Sequence, residues 1–173
     1  MTKPGILIAG IGNIFLGDDA FGSEVARLLN QRRWPEDVRV EDFGIRGFDL
    51  AFALLDAPEL TVLIDATPRG GTPGTLYKIE PDLAGLDELD AEEMTIETHG
   101  MNPMKVLAMV KSMGGKFGRI VLVGCEPAPL TVEEGQMGLS PQVQAAVAEA
   151  MTMVEGLIAS ELNGAPGIST AVI

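Results

Sequence analysis

The chain has 173 residues, 46% of them hydrophobic and 21% charged, a composition that fits a globular chain with a sizeable core and excludes a disordered one. Its 25 acids outnumber 12 Lys and Arg for a formal net charge of −13, so no nucleic-acid partner, which needs a basic face, is expected. The single cysteine, Cys125, and single histidine, His99, exclude an internal disulfide, a cysteine-based zinc site and any site that needs two histidines from one chain.

Residues 5–9 read as a short buried strand bounded by turn residues. Gly10, Gly12 and Asn13 follow, then the adjacent acids Asp18 and Asp19, and then a helical pattern. Phe21, Val25, Leu28 and Leu29 share one face of a helix that runs to about residue 32, where Arg32-Arg33-Trp34-Pro35 closes it. Residues 37–43 alternate, with Val38 and Val40 on one face, and predict a second strand. Gly44-Ile45-Arg46-Gly47 is a turn, and 48–55 a short apolar helix.

Residues 60–64 predict a third strand that ends at Asp65. Residues 67–74 are a loop by composition, and 75–79 a fourth strand. Between residues 82 and 97 stand seven acids and no Lys or Arg, which reads as a solvated excursion. A helix over 101–113 has Met104, Leu107, Ala108 and Val110 on its apolar side. Residues 119–124 are a fifth buried strand, 126–139 a loop, and Ser140-Pro141 a helix start in which the serine caps and the proline takes the first helical position. The last helix runs to about Leu162, and the tail from about residue 163 is expected to fray.

Nothing at the start resembles a secretory leader, and no apolar run reaches the roughly 18 residues of a membrane span, so a cytoplasmic protein with no membrane partner is expected. Apolar strands alternating with helices predict one α/β domain over residues 1–173. Its architecture is a three-layer sandwich, a mainly parallel, twisted five-stranded sheet with helices on both faces.

In such a sheet the carboxyl ends of the strands share one edge. Asp19 follows the first strand, Asp65 ends the third, and His99 precedes the helix that leads to the fifth. The three should converge there. Two carboxylates and an imidazole suit a divalent transition metal with open positions, or acid–base work around a water. Each residue also has a plainer role. Asp18 or Asp19 serves equally well as a cap of the first helix, Asp65 as a turn residue, and His99 as a surface residue in an acidic loop. Cys125, at the end of a buried strand, reads as a small core residue.

A strand entering Gly10-Ile11-Gly12 and then a helix also resembles part of a dinucleotide fingerprint. The third glycine would fall at Phe15, the helix starts late, and Asp18 and Asp19 would repel a pyrophosphate. The alternative to an enzyme is therefore a nucleotide- or metal-binding module on the same fold.

The ordered set of motifs resembles the hydrogenase maturation proteases. The segment 10–22 is similar to that family's first signature, Gly44-Ile45-Arg46-Gly47 to its second, and Leu63-Ile64-Asp65-Ala66 to the strand with its central aspartate. Thr98-His99-Gly100-Met101-Asn102-Pro103 carries its histidine, and residues 123–128 and 138–141 resemble its last segment and final helix start.

The resemblance implies an endopeptidase that trims the C-terminal extension from the large-subunit precursor of a nickel–iron hydrogenase. It implies that Asp19, Asp65 and His99 bind nickel carried by the precursor, or another divalent metal in vitro, and form the catalytic set. Whether a metal-bound water or aspartic-type acid–base action hydrolyses the peptide is left open. Asn13, Asp18, Gly44, Arg46 and Gly47 are expected to shape the substrate cleft, with Asp18 nearer to helix capping. The first ligand, a glutamate in some members, is Asp19 here, and a position that is often threonine is Ile45.

Overall fold

The computed structural model describes residues 5–88, 101–129 and 138–164. In chain order its main elements are strand Ile6–Ile11 (β1), helix Phe21–Leu29 (α1), strand Val38–Gly44 (β2), helix Gly47–Leu55 (α2), strands Leu60–Ala66 (β3) and Leu76–Ile79 (β4), helix Pro103–Ser112 (α3), strand Arg119–Cys125 (β5) and helix Pro141–Leu162 (α4).

Side chains alternate across a strand, and this divides the core in two. From β1, Ile6 and Ile8 pack on one face of the sheet, while Leu7, Ala9 and Ile11 pack on the other. Val62, Ile64, Val121 and Val123 join the first face, and Leu63 and Ile120 the second. Strands buried on both sides need helices on both sides. Phe21, Val25 and Leu29 of α1 and Val143, Val147, Val154 and Ile158 of α4 cover the first face. Leu50 and Leu54 of α2 and Val106, Leu107 and Val110 of α3 cover the second. The result is the predicted three-layer α/β arrangement.

The strand order is β2-β1-β3-β5-β4. β1 runs parallel to β2 and β3, and β3 to β5, while β4 lies antiparallel on the edge against β5. After β1 the chain steps outward to β2, then returns past β1 to β3. The order therefore reverses between β1 and β3, and such a reversal opens a crevice at the carboxyl ends of the two strands. Gly22 lets α1 sit directly over that crevice. A Cβ there would stand 1.9 Å from the Ile64 carbonyl oxygen and 2.2 Å from that of Ile11.

Several predicted boundaries move. β1 and β3 each run two residues beyond the expected end, because ladder pairing continues to Ile11–Gly44 and Ala66–Cys125. α1 stops at Leu29, whose carbonyl oxygen accepts a 2.8 Å hydrogen bond from the Trp34 indole N–H. Short 3₁₀ turns form at Gly17–Ala20 and Leu83–Glu88. The second corrects part of the expected solvated excursion: Leu86 is buried against the α2–α3 side of the core, and the Lys111 ammonium donates to the Leu83 carbonyl at 3.1 Å. The rest of that stretch, and the tail beyond Gly164, lie outside the described residues. Among the described residues no helix is long and apolar enough to cross a membrane.

Candidate active site

The loop after β1 brings two adjacent acids to the crevice, and hydrogen bonding gives them different work. Asp18 is buried. Its Oδ1 accepts the Ser140 N–H at 2.6 Å, and its Oδ2 accepts the Ala128 N–H and the Ser140 hydroxyl, each at 2.8 Å. Both oxygens are thus occupied by the last loop and the start of α4. This corrects two expectations. Asp18 does not cap the helix that follows it, since Ala20 is the α1 N-cap and makes no side-chain cap bond. Nor does the Ser140 hydroxyl cap α4, because it points its proton at Asp18 instead.

Asp19 is half-buried, and its Oδ2 accepts the Asn13 N–H at 2.9 Å. Asn13 in turn accepts the Phe15 N–H at 2.9 Å through its own side chain, which closes the loop tip. Among the described residues Asp19 thus accepts one hydrogen bond where Asp18 accepts three, and both acids line the crevice.

Asp65 ends β3 beneath the same crevice and is only 9% exposed. Burial raises its pKa well above the ordinary carboxylate value, the negative charge of Asp19 raises it further, and the Ala66 backbone amide opposes them. A carboxyl group held toward its protonated form beside a second carboxylate can act with it as an acid–base pair, or the two can share a cation. Hard oxygen donors fit a divalent metal. His99, the third expected member, lies outside the described residues. Among the described residues no three His, Cys, Asp or Glu side chains form a metal-holding group.

A cleft of about 500 Å³ opens beside these acids, lined by Asp18, Asp19, Ala66, Pro68, Gly70, Gly71, Pro73, Glu126, Pro127, Ala128 and Pro129. Gly44, Arg46 and Gly47 do not line it. They form the neighbouring β2–α2 turn, tied to the first loop by a Gly12 N–H to Gly44 carbonyl bond of 3.0 Å. Gly44 takes a φ of +56° there. Arg46 holds its own turn, donating to the Asp42 carbonyl at 2.6 Å and to the Asp49 carboxylate at 3.1 Å. Cys125 is fully buried, and burial foremost pushes its thiol pKa up to about 11, as suits an inert core residue.

Similarity to known proteins places the chain in a family. A family profile described as hydrogenase maturation protease matches residues 23–157. The chain belongs to the hydrogenase maturation proteases. It is 32% identical to the hydrogenase expression/formation protein HupM of Azotobacter chroococcum, over 94% of this chain and 78% of that protein. It is 32% identical to the solved hydrogenase 2 maturation peptidase of Thaumarchaeota archaeon SCGC_AB-539-E09, with a TM-score of 0.67 over 89% of this chain and 97% of that one. It is 29% identical to the hydrogenase maturating endopeptidase HybD of Escherichia coli, with a TM-score of 0.68 over 92% and 93% of the two chains.

Membership makes this a peptidase and disfavours the binding-module alternative. In this hydrogenase maturation protease Gly10, within β1, admits α1 to the sheet, and Gly12 lets the Asp19 backbone approach, where a dinucleotide protein would cradle phosphate.

One feature of the cleft was missed from sequence. Glu126 is buried at 4% exposure, although sequence alone assigns it no role beyond a loop position within the segment 123–128. The available signal was a glutamate directly after a buried strand and before a proline.

Proposed function

We propose that the protein is the endopeptidase that removes the C-terminal extension of a nickel–iron hydrogenase large-subunit precursor after nickel insertion. The observation that carries this reading is the placement of Asp19 in the loop after β1 and of Asp65 at the carboxyl end of β3, with Asp65 held toward its protonated form by burial and by Asp19. The switch-point crevice between those strands is where an α/β sheet binds its ligand.

In this reading the nickel of the precursor, which arrives as part of the substrate, is recognised at Asp19 and His99 with protonated Asp65 beside them, so that only a loaded precursor seats its scissile peptide in the cleft. Asp19 takes a proton from the attacking water, whose oxygen bonds to the scissile carbonyl carbon. Asp65 gives its proton to the departing amide nitrogen as the C–N bond breaks. A carboxylate beside a carboxylic acid supplies the base and the acid together. Asn13 supports Asp19 through its N–H, and Asp18 fixes the opposite rim through Ala128 and Ser140.

The test is to incubate the purified protein with nickel-loaded precursor and weigh the product. The expected result is loss of the C-terminal extension with the wild type, and intact precursor with Asp19→Asn and with Asp65→Asn. Full activity in either variant would sink the reading.

A further inference from the structure

Glu126 has no part in the proposed chemistry, yet it lines the cleft, is almost wholly buried and directs its carboxylate oxygens at loop 67–75 and at Tyr77 of β4. Its Oε2 accepts the Arg69 N–H at 2.7 Å and the Tyr77 hydroxyl at 3.2 Å, and its Oε1 accepts the Gly71 N–H at 2.8 Å. The main chain adds two bonds of 2.8 Å, Gly74 N–H to the Glu126 carbonyl and Glu126 N–H to the Thr75 carbonyl. The Arg69 guanidinium lies 5.5 Å from the centre of the Tyr77 ring. Loop 67–75 is therefore sewn to one buried side chain.

That loop supplies Pro68, Gly70, Gly71 and Pro73 to one side of the cleft. Pro127, Ala128 and Pro129 face them, with Ala128 held by Asp18, and Ala66 forms part of the floor next to Asp65. Two of the three lining carboxylates, Asp18 and Glu126, already have their oxygens paired with protein donors. Apart from the three carboxylates, the described residues that line the recess are proline, glycine and alanine. A polar side chain seated against these described residues loses water and gains no side-chain donor from them, whereas an apolar one is sheltered.

We propose that this recess is a specificity subsite that takes an apolar side chain of the precursor beside the scissile bond, with Glu126 as the positioning residue that holds its wall. The proposal rests on the peptidase reading above. Its test uses nickel-loaded precursors carrying Leu or Asp at the residue just before or just after the scissile bond. Each is cleaved by the wild type and by Glu126→Gln, Glu126→Ala and Tyr77→Phe. The wild type should prefer Leu over Asp in kcat/KM by about tenfold or more at one of the two positions. Glu126→Ala should bring that ratio toward one, while Glu126→Gln, which keeps the shape and one acceptor, should retain most of it.

A purely structural Glu126 would lower cleavage of both precursors equally. An unchanged ratio therefore overturns the proposal, as does a wild-type ratio near one at both positions. If Glu126→Ala does not fold, Tyr77→Phe decides: a reduced ratio supports the subsite and an unchanged one overturns it. Failure of the wild type to cleave the unaltered precursor overturns the peptidase reading itself.

Discussion

Asp65 places an acid where water solvates its charge poorly, and this has a consequence for stability. Its folded-state pKa lies above the unfolded value, so between the two the folded chain binds more protons than the unfolded one. Stability contributed by this group is then present below the unfolded value of about 3.9 and is lost as pH rises through the folded pKa. In EDTA, Asp65→Asn should melt at a higher temperature than the wild type at neutral pH, and the gap should close as pH falls toward 4. Melting curves across that range check it, and a gap independent of pH would count against burial of the charge as the cause. The same variant is expected to be inactive, so the site holds reactivity at the expense of stability. The two acids of the first loop should also separate by stability. Asp18→Ala leaves three donors without their partner, and hydrogen bonds to a charged group are worth roughly 1.5–3 kcal/mol each and do not simply add, so a loss of roughly 3–5 kcal/mol is expected. Asp19→Ala removes one such bond at a half-buried position and should cost about 1–2 kcal/mol. Urea unfolding of both variants decides, and the reverse order would refute the division of labour between the acids.

At the scale of elements, Gly22→Ala tests how tightly α1 is set over the crevice. Its Cβ would collide with the Ile64 and Ile11 carbonyl oxygens, which are fixed in the sheet, so the helix must lift. The expected cost is at least the roughly 1–3 kcal/mol of an overpacked core, with a loss of activity as Asp19 moves with the helix. A variant with native stability and activity would show that the helix has slack. The elements themselves were legible because buried strands and amphipathic helices write their period into the chain: Ile6 to Ile11 and Leu60 to Asp65 are short apolar runs, and the 3.6-residue stripe of α4 from Val143 to Ile158 matches its buried face. Asp19 and Asp65 were legible for the same reason, since strand ends locate the crevice. Partners distant in sequence were not. Ser140 before a proline reads as a helix cap, and only the folded chain shows its hydroxyl serving an acid 122 residues away. Glu126 reads as a loop residue because its amide donors stand 55 and 57 residues earlier. The antiparallel setting of β4 was equally silent, because a four-residue strand does not state its direction.

Across the whole molecule the governing quantity is a formal net charge of −13. Ion pairs such as Arg27–Glu24, Arg46–Asp49 and Arg119–Glu80 lie at the surface, where each is worth only about 0–1 kcal/mol. With 25 acids and 12 Lys and Arg, most acids have no cation to meet, so folding gathers like charge. Asp18 and Glu126 are themselves buried and held by hydrogen bonds, so salt screens them less than it screens exposed charges. Salt should therefore act mainly on the repulsion. Raising sodium chloride from about 0.01 M to 0.3 M shortens the screening length from roughly 30 Å to below 10 Å. Relief of self-repulsion should exceed the weakening of the surface pairs by about 1 kcal/mol, which for a chain of this size raises the melting temperature by roughly 2–4 °C. Replacing the exposed acids Glu36, Glu59 and Glu149 with glutamine takes the formal charge from −13 to −10 and should reproduce part of that rise at low salt while flattening the salt dependence. A melting temperature that falls with salt would mean that the surface pairs outweigh the repulsion. An unchanged salt slope in the triple variant would place the effect of salt on apolar burial instead, which sodium sulfate would then exaggerate.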